Sequence, residues 1–103
     1  MAVWFVSRHE GAKEWMRSQG IEIDRWVDHL EPEAVELGDK VFGVLPLEMI
    51  ATINAKGVPF YALTYRVDKI QRGQELSEQT LERLGCRLQR YQVQVLENGY
   101  EGF

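Results

Sequence analysis

Short apolar segments, each followed by a turn and a helical pattern, constrain the fold of this chain most strongly. The first is VWFV, from Val3 to Val6, which ends abruptly at Ser7. Four consecutive apolar residues indicate a strand that is buried on both faces, as in parallel sheets. A helical pattern follows at once, so the chain begins as strand, loop and helix.

This alternation of strands and helices continues to residue 96. The predicted strands cover residues 3–6, 23–30, 40–45, 59–64 and 88–96, and the predicted helices cover residues 10–19, 46–56 and 78–84. The order β-α-β-β-α-β-α-β is typical of an α/β fold with a small, open, mostly parallel sheet and helices on both faces. We therefore expect one domain over residues 1–96 and a tail at residues 97–103.

Individual residues refine this prediction. The charges within residues 23–30 favour a strand at the sheet edge, and Gly43 inside a strand indicates a close backbone approach. Leu47 and Ile50 are predicted to face the core from the second helix. Ser77 is the expected N-cap of the third helix.

The charge balance limits the partners of the chain. Its 103 residues include 12 basic and 16 acidic side chains, a net charge of −4, so a long nucleic acid should be repelled. A small anionic ligand held by a few local cations is still compatible with this balance. We expect no leader, and no apolar segment of the sequence is long enough to span a membrane. We expect a cytoplasmic protein with no membrane partner.

Cysteine and histidine are too scarce for a dedicated metal site. Cys86 is the only cysteine and is expected to be a small buried apolar group in a reducing compartment. His9 and His29 are the only histidines, and neither a dinucleotide nor a nucleoside-triphosphate motif is present. We expect neither a metal nor a cofactor.

Three loops are predicted to meet at one edge of the sheet, because ligands of open α/β sheets bind beyond the carboxyl ends of the strands. These loops are residues 7–11 after the first strand, Leu45 and Pro46 after the third, and the segment from Thr64 after the fourth.

The loop after the first strand carries Ser7, Arg8 and His9 in succession. They supply a hydroxyl, a permanent cation and a group that gains or loses a proton near neutral pH, next to a helix N-terminus that favours anions. This combination predicts a phosphate site. The alternative is a simple turn, in which Ser7 caps the helix and Arg8 and His9 are solvated.

The long loop after the fourth strand carries a second set of cations. Arg66, Lys69 and Arg72 recur at every third residue and could fold over a ligand, although a solvated linker is the alternative. Tyr65 could stack on a base, although a tyrosine at a strand end is more often a core residue.

Four segments together resemble a small family of accessory proteins of type III CRISPR systems. They are WFVSRHEGAKEWMRSQG, DRWVDHLEPE followed by GD, GVLP, and RGQELS, and the resemblance runs from Trp4 to about Tyr91. That family is similar to the CRISPR-associated Rossmann-like (CARF-like) sensors. The resemblance therefore implies binding of cyclic oligoadenylate, and several small members of this broader group are ring nucleases that cut it.

The resemblance also implies which residues form the site. The recurrent polar residues of the family fall on Ser7, Arg8, His9 and Gly11 in the first loop, and on Arg72 and Glu75 in the late loop.

Ring cleavage fits the chemistry of these residues without a metal. The ribose 2′-hydroxyl can attack the adjacent phosphate, while Arg8 and the helix N-terminus hold that phosphate and His9 transfers a proton. Ser7 would hydrogen-bond a phosphate or ribose oxygen.

Symmetry extends this hypothesis to the assembly. Cyclic tetra-adenylate has two-fold axes, so we expect a homodimer in which two copies of the first loop face one ring.

Two other functions remain open from the sequence. The protein could sequester cyclic oligoadenylate without cutting it, since the same donors would serve both purposes. It could also be an adaptor that docks on another CRISPR protein through Trp26 and Phe103.

Overall fold

The structure, a computed structural model, describes residues 1–66 and 76–97. Most of the predicted late loop and most of the predicted tail lie outside these residues. The strands are β1 (Val3–Val6), β2 (Arg25–Val27), β3 (Lys40–Gly43), β4 (Phe60–Thr64) and β5 (Arg87–Tyr91), and the helices are α1 (Glu10–Ser18), α2 (Leu47–Ala55) and α3 (Glu78–Arg83). A 3₁₀ turn at Pro32–Ala34 precedes β3. The predicted order of elements is confirmed.

The five strands form one sheet in the order β2-β1-β3-β4-β5. Strands β1 to β4 are parallel, and β5 runs antiparallel to β4. The mostly parallel, Rossmann-like sheet predicted from the sequence is therefore confirmed. From β1 the chain passes through α1 to β2 on one side, and it then returns to β3 on the other side of β1.

Helices cover both faces of the sheet, because the side chains of β1 alternate between two apolar clusters. Trp4 and Val6 pack with the buried residues of α2 on one face. Phe5 packs on the opposite face with α1 and α3. This alternation explains why VWFV is apolar throughout, since each of its faces contacts a helix.

The helix ends follow the sequence signals closely. The Ser77 hydroxyl accepts a hydrogen bond from the Thr80 N–H at 3.1 Å, so Ser77 caps α3 as predicted. Pro46 is the N-cap of α2 rather than its first helical residue. Ile50 is buried in the core, whereas Leu47 is 72% exposed, so the prediction that Leu47 faces the core is wrong. Leu47 is the first residue of α2 and borders an open apolar cavity beside the end of β3.

The two edge strands are shorter than predicted. β2 comprises only Arg25–Val27, and its edge position agrees with its charges. β5 ends at Tyr91 rather than at residue 96, because its one neighbour is β4 and the last pair joins Tyr91 to Phe60, the first residue of β4. Beyond that pair, no strand within residues 1–66 and 76–97 pairs with β5.

Two glycines allow the backbone to approach closely. Gly43 has a φ of +130°, and a Cβ there would collide with the Val6 carbonyl oxygen. Gly11 lies within α1, and a Cβ there would collide with the Leu76 carbonyl oxygen just before α3. The first contact sets the approach of β3 to β1, and the second sets the packing of α1 on α3.

Candidate functional site

The Ser7–Arg8–His9 turn lies where the chain connections of the sheet diverge. β1 pairs with β2 on one side and with β3 on the other, and the helices that follow β1 and β3 cover opposite faces. The Ser7 N–H donates to the Val27 carbonyl and the Val44 N–H donates to the Val6 carbonyl, both at 3.1 Å. The turn therefore lies at the topological switch point, where open α/β sheets bind their ligands.

Ser7 is buried and stabilises the turn through a hydrogen bond. Its side chain is 7% exposed, and its hydroxyl accepts a hydrogen bond from the His9 N–H at 3.1 Å. Arg8 and His9 are both exposed. Ser7 therefore does not cap α1, contrary to one of the two alternatives. It stabilises a turn that presents the Arg8 guanidinium and the His9 imidazole at the sheet edge.

The N-terminus of α1 opens at the same place. His9 is the N-cap residue with extended backbone (φ −92°, ψ 124°), and no side chain among the described residues caps this end. The first backbone N–H groups of a helix have no acceptor within the helix, so they favour an anion here. The Glu10 carboxylate forms ion pairs with residues further along α1, 4.0 Å from the Lys13 ammonium and 3.6 Å from the Arg17 guanidinium.

Lys13 is a cation near this edge that the sequence analysis missed. Its side chain is 21% exposed, and its ammonium lies 3.5 Å from the carboxylate of Asp28, the residue after β2. The spacing could have indicated the position of Lys13, because Lys13 follows His9 by one helical turn. Its backbone N–H donates to the His9 carbonyl.

Gly11, Leu45 and Pro46 lie near this turn and differ in burial and in the residues they contact. Gly11 is buried against the residues before α3, so its close contact is with protein backbone. Leu45 is half-buried and packs against the core on the α2 face, and Pro46 is exposed. Leu45 and Pro46 follow β3 and therefore share the edge of the Ser7 turn.

The fourth strand brings Tyr65 and Arg66 to the same edge, two strands away from β1. Tyr65 is half-buried and packs against the core on the α1 face, in agreement with the alternative that it is a core residue. Arg66 is exposed. Arg72 and Glu75, as well as Lys69, lie outside the described residues.

An apolar cavity of about 240 Å³ opens between α2 and the end of β3. Leu45, Leu47, Phe60 and Tyr91 are among the residues that line it. Its position beside the carboxyl end of β3 and its apolar walls suit a flat aromatic group such as a nucleobase.

The opposite edge of the sheet holds a fully bonded carboxylate. Asp39, directly before β3, is 5% exposed and accepts hydrogen bonds from the Ala2 N–H (2.8 Å), the Glu36 N–H (3.0 Å) and the Trp4 indole N–H (3.1 Å). Burial alone would raise the pKa of Asp39, but these hydrogen bonds outweigh it and hold the pKa below its ordinary value.

Cys86 is a buried free cysteine, as the sequence predicted. Burial, with a smaller contribution from the Glu82 carboxylate, raises the pKa of its thiol to about 11. The thiol is therefore protonated at neutral pH and unsuited to nucleophilic attack.

Trp26, one of the two residues named for an adaptor surface, is 36% exposed at the β2 edge. Its ring lies 5.3 Å from the Phe5 ring, and the Arg17 guanidinium lies 4.8 Å above it. The indole is thus largely occupied by its own chain, and Phe103 lies outside the described residues.

Within residues 1–66 and 76–97, no group of three or more histidine, cysteine or acidic side chains could hold a metal ion. None of the described helices is long and apolar enough to cross a membrane.

Comparison with known proteins relates most of the chain to a protein family. The family model described as "Putative CRISPR-associated protein (Cas_VVA1548)" matches residues 4–94, which include the whole sheet and the Ser7 turn. No curated protein and no solved structure matches the chain.

Proposed function

Because the chain belongs to the Cas_VVA1548 family of CRISPR-associated proteins, we propose that it is a metal-independent ring nuclease acting in the cytoplasm on cyclic oligoadenylate. In this proposal the substrate is cyclic tetra-adenylate, and its cleavage switches off signalling by a type III CRISPR system. The observation that carries the proposal is the position of Arg8 and His9, exposed on a turn at the switch point of the sheet.

Phosphate binding follows from three groups at this turn. The exposed Arg8 guanidinium presents paired donors that match two phosphate oxygens. The uncapped N-terminus of α1 adds backbone N–H groups beside it. The third group is the Lys13 ammonium, one turn into the helix, which is paired with the Glu10 and Asp28 carboxylates and reaches a phosphate only by leaving them.

Cleavage of the ring needs only a proton transfer and charge stabilisation. The ribose 2′-oxygen forms a bond to the adjacent phosphorus, and the bond from phosphorus to the 5′-oxygen breaks. The proton lost from the 2′-hydroxyl is balanced by the proton gained by the 5′-oxygen, and the products are a 2′,3′-cyclic phosphate and a 5′-hydroxyl. Arg8 stabilises the charge on the phosphoryl oxygens, and His9 accepts or supplies a proton.

Ser7 and the apolar cavity complete the site. Ser7 fixes the turn through its hydrogen bond to the His9 N–H, and its hydroxyl proton is free to meet a phosphate or ribose oxygen. The cavity beside Leu45 and Leu47 accepts an adenine base.

Two copies of the chain form the complete site in this proposal. A two-fold symmetric ring would meet two Ser7–Arg8–His9 turns across a dimer axis. Pairing the turns doubles the local positive charge in a protein whose net charge is −4 per chain. Light scattering should therefore give the mass of a dimer, and a monomer with and without ligand at micromolar concentration would contradict the shared site.

Chromatography of cyclic tetra-adenylate after incubation with the protein in EDTA tests the reaction. We expect linear products that end in a 2′,3′-cyclic phosphate. A ring that is bound but stays intact would make the protein a sequestering protein, and a ring that neither binds nor reacts would overturn the proposal.

A further inference from the structure

A second cluster of cations lies on the carboxyl edge of the sheet, beyond the Ser7 turn. A concavity of about 420 Å³ opens where β4 ends and β5 begins. Three arginines line it, namely Arg66 after β4, Arg83 at the end of α3 and Arg87 at the start of β5, together with Tyr65. These residues are called the arginine pocket below.

Backbone contacts hold the three arginine-bearing segments together. The Arg66 N–H donates to the Leu84 carbonyl at 3.2 Å, which ties the end of β4 to the end of α3. Thr64 pairs with Arg87 in the sheet, and its hydroxyl donates to the Arg87 carbonyl at 3.3 Å. The arginines therefore converge because of the fold, and not through the chance positions of long side chains.

The charge of the arginine pocket is not compensated within the described part of the chain. All three arginines are exposed, and no ion pair between described residues includes any of them. Three neighbouring guanidinium groups repel one another. They lie together without acidic partners among the described residues, even though acidic residues outnumber basic ones in this chain. An arginine at a helix C-terminus is favourable by itself, which accounts for Arg83 but not for Arg66 or Arg87.

A phosphate group is the anion that this arrangement fits best. Guanidinium groups bind phosphate oxygens through paired N–H donors, and several of them can surround one phosphate. The half-buried Tyr65 ring adds an aromatic surface on which a base could stack. A nucleotide phosphate uses both features, whereas inorganic phosphate uses only the arginines.

We propose that the arginine pocket binds a second phosphate of the same short oligoadenylate whose scissile phosphate lies at Arg8. This inference rests on the proposed function. β1 and β4 are separated only by β3, so their carboxyl ends lie about 10 Å apart at the usual strand spacing. A short oligonucleotide spans that distance along the edge and contacts both sites.

Binding of labelled cyclic tetra-adenylate at several salt concentrations tests the arginine pocket. The test variant is the double substitution Arg83→Gln and Arg87→Gln, and the matched control is Arg90→Gln. Arg90 lies on the same strand, but it pairs with Tyr61 at the other end of β5 and its guanidinium lies 6.0 Å from the Tyr61 ring. All three arginines are exposed, so the variants should fold normally.

We expect the double variant to bind the ring roughly tenfold more weakly or worse, with the control unchanged. We also expect the slope of log K against log salt to fall by about 0.7 for the lost phosphate contact. An unchanged affinity and slope in the double variant, beside a loss of binding in Arg8→Ala, would overturn the arginine pocket and leave the proposed function standing.

If the wild-type protein binds no adenylate ring, the proposed function fails and the pocket is tested with inorganic pyrophosphate instead. Thermal stabilisation of the wild-type protein and the Arg90→Gln control, but not of the double variant, would support an anion site at these arginines. Equal stabilisation of all three proteins, or of none, would overturn it.

Discussion

At the amino edge of the sheet Asp39 is buried and accepts three hydrogen bonds, whereas at the carboxyl edge Arg8 and His9 are exposed and their side chains bond to no other described residue. Both edges belong to the same strands, β1 and β3. A polar group whose partners are all supplied by the protein stabilises the fold, and a polar group left without partners is available to a ligand.

The largest expected effect concerns the open edge. His9→Ala should slow ring cleavage by about 10² to 10⁴ fold, because it removes a group that transfers a proton in the transition state. Its side chain is exposed and caps nothing, so the free energy of unfolding should change by less than about 0.5 kcal/mol. Single-turnover cleavage and urea unfolding measure the two quantities.

His29→Ala is the matched control for His9, since it removes the only other histidine, which is also exposed. Cleavage at the wild-type rate by His9→Ala, or a larger loss in His29→Ala, would contradict the assignment of His9. Arg8→Ala should weaken binding of the ring as well as its cleavage.

The closed edge should respond in the opposite way. Asp39→Ala leaves three donors without their acceptor, two of them backbone N–H groups, and should lower the free energy of unfolding by about 3 kcal/mol. Variant protein that remains folded should still bind the ring. A loss of binding in folded Asp39→Ala protein would show that the two edges are coupled and do not act separately.

The contribution of Asp39 also has a defined pH dependence. Its folded pKa is lower than the ordinary value of 3.8, so the unfolded chain binds a proton first as the pH falls. The stabilisation is complete well above pH 3.8 and is lost below it, as the pH falls through the folded pKa. Urea unfolding between neutral pH and the acid limit should show this loss in the wild-type protein, and Asp39→Asn should lack it.

Substitution of Ser7 should affect stability less than Asp39→Ala and cleavage less than His9→Ala. Its hydroxyl is bonded within the protein, like the Asp39 carboxylate, and it lies in the turn that carries Arg8 and His9. Ser7→Ala removes one hydrogen bond to the His9 N–H and should cost about 1 kcal/mol of stability. Cleavage should slow less than in His9→Ala, because Arg8 and His9 both remain. Ser18→Ala is the matched control, since its hydroxyl donates to the Trp15 carbonyl at the far end of α1 and it should leave cleavage unchanged. Equal cleavage by the Ser7 and Ser18 variants would limit Ser7 to a structural role.

Local patterns predicted the order of elements and the edge that carries the Ser7 turn. VWFV and the helical pattern after it are read within a few residues of sequence, and the mostly parallel sheet follows from how such units connect. The length of β5 was not readable in this way, because it depends on where β4 begins. Leu47 was misplaced for a similar reason, since periodicity gives the face of a helix but not whether neighbouring elements cover that face. At Leu47 the face borders an open cavity.

The arginine pocket was only partly predictable for the same reason. Arg66 was identified from its position after β4, but Arg83 and Arg87 join it only through the packing of α3 and the antiparallel return of β5. Lys13 was missed because a lysine on the polar side of a helix carries no signal of its partner, and Asp28 is fifteen residues away in the sequence.

The contact between Gly43 and Val6 has a consequence for genetics. The close approach of β3 to β1, next to the Ser7 turn, depends on a residue that has no functional group to offer a ligand. A larger residue at position 43 must separate the two strands or abandon its backbone conformation. A screen for loss of function should therefore return substitutions at Gly43 together with those at Arg8, and the yield of folded protein would distinguish the two classes.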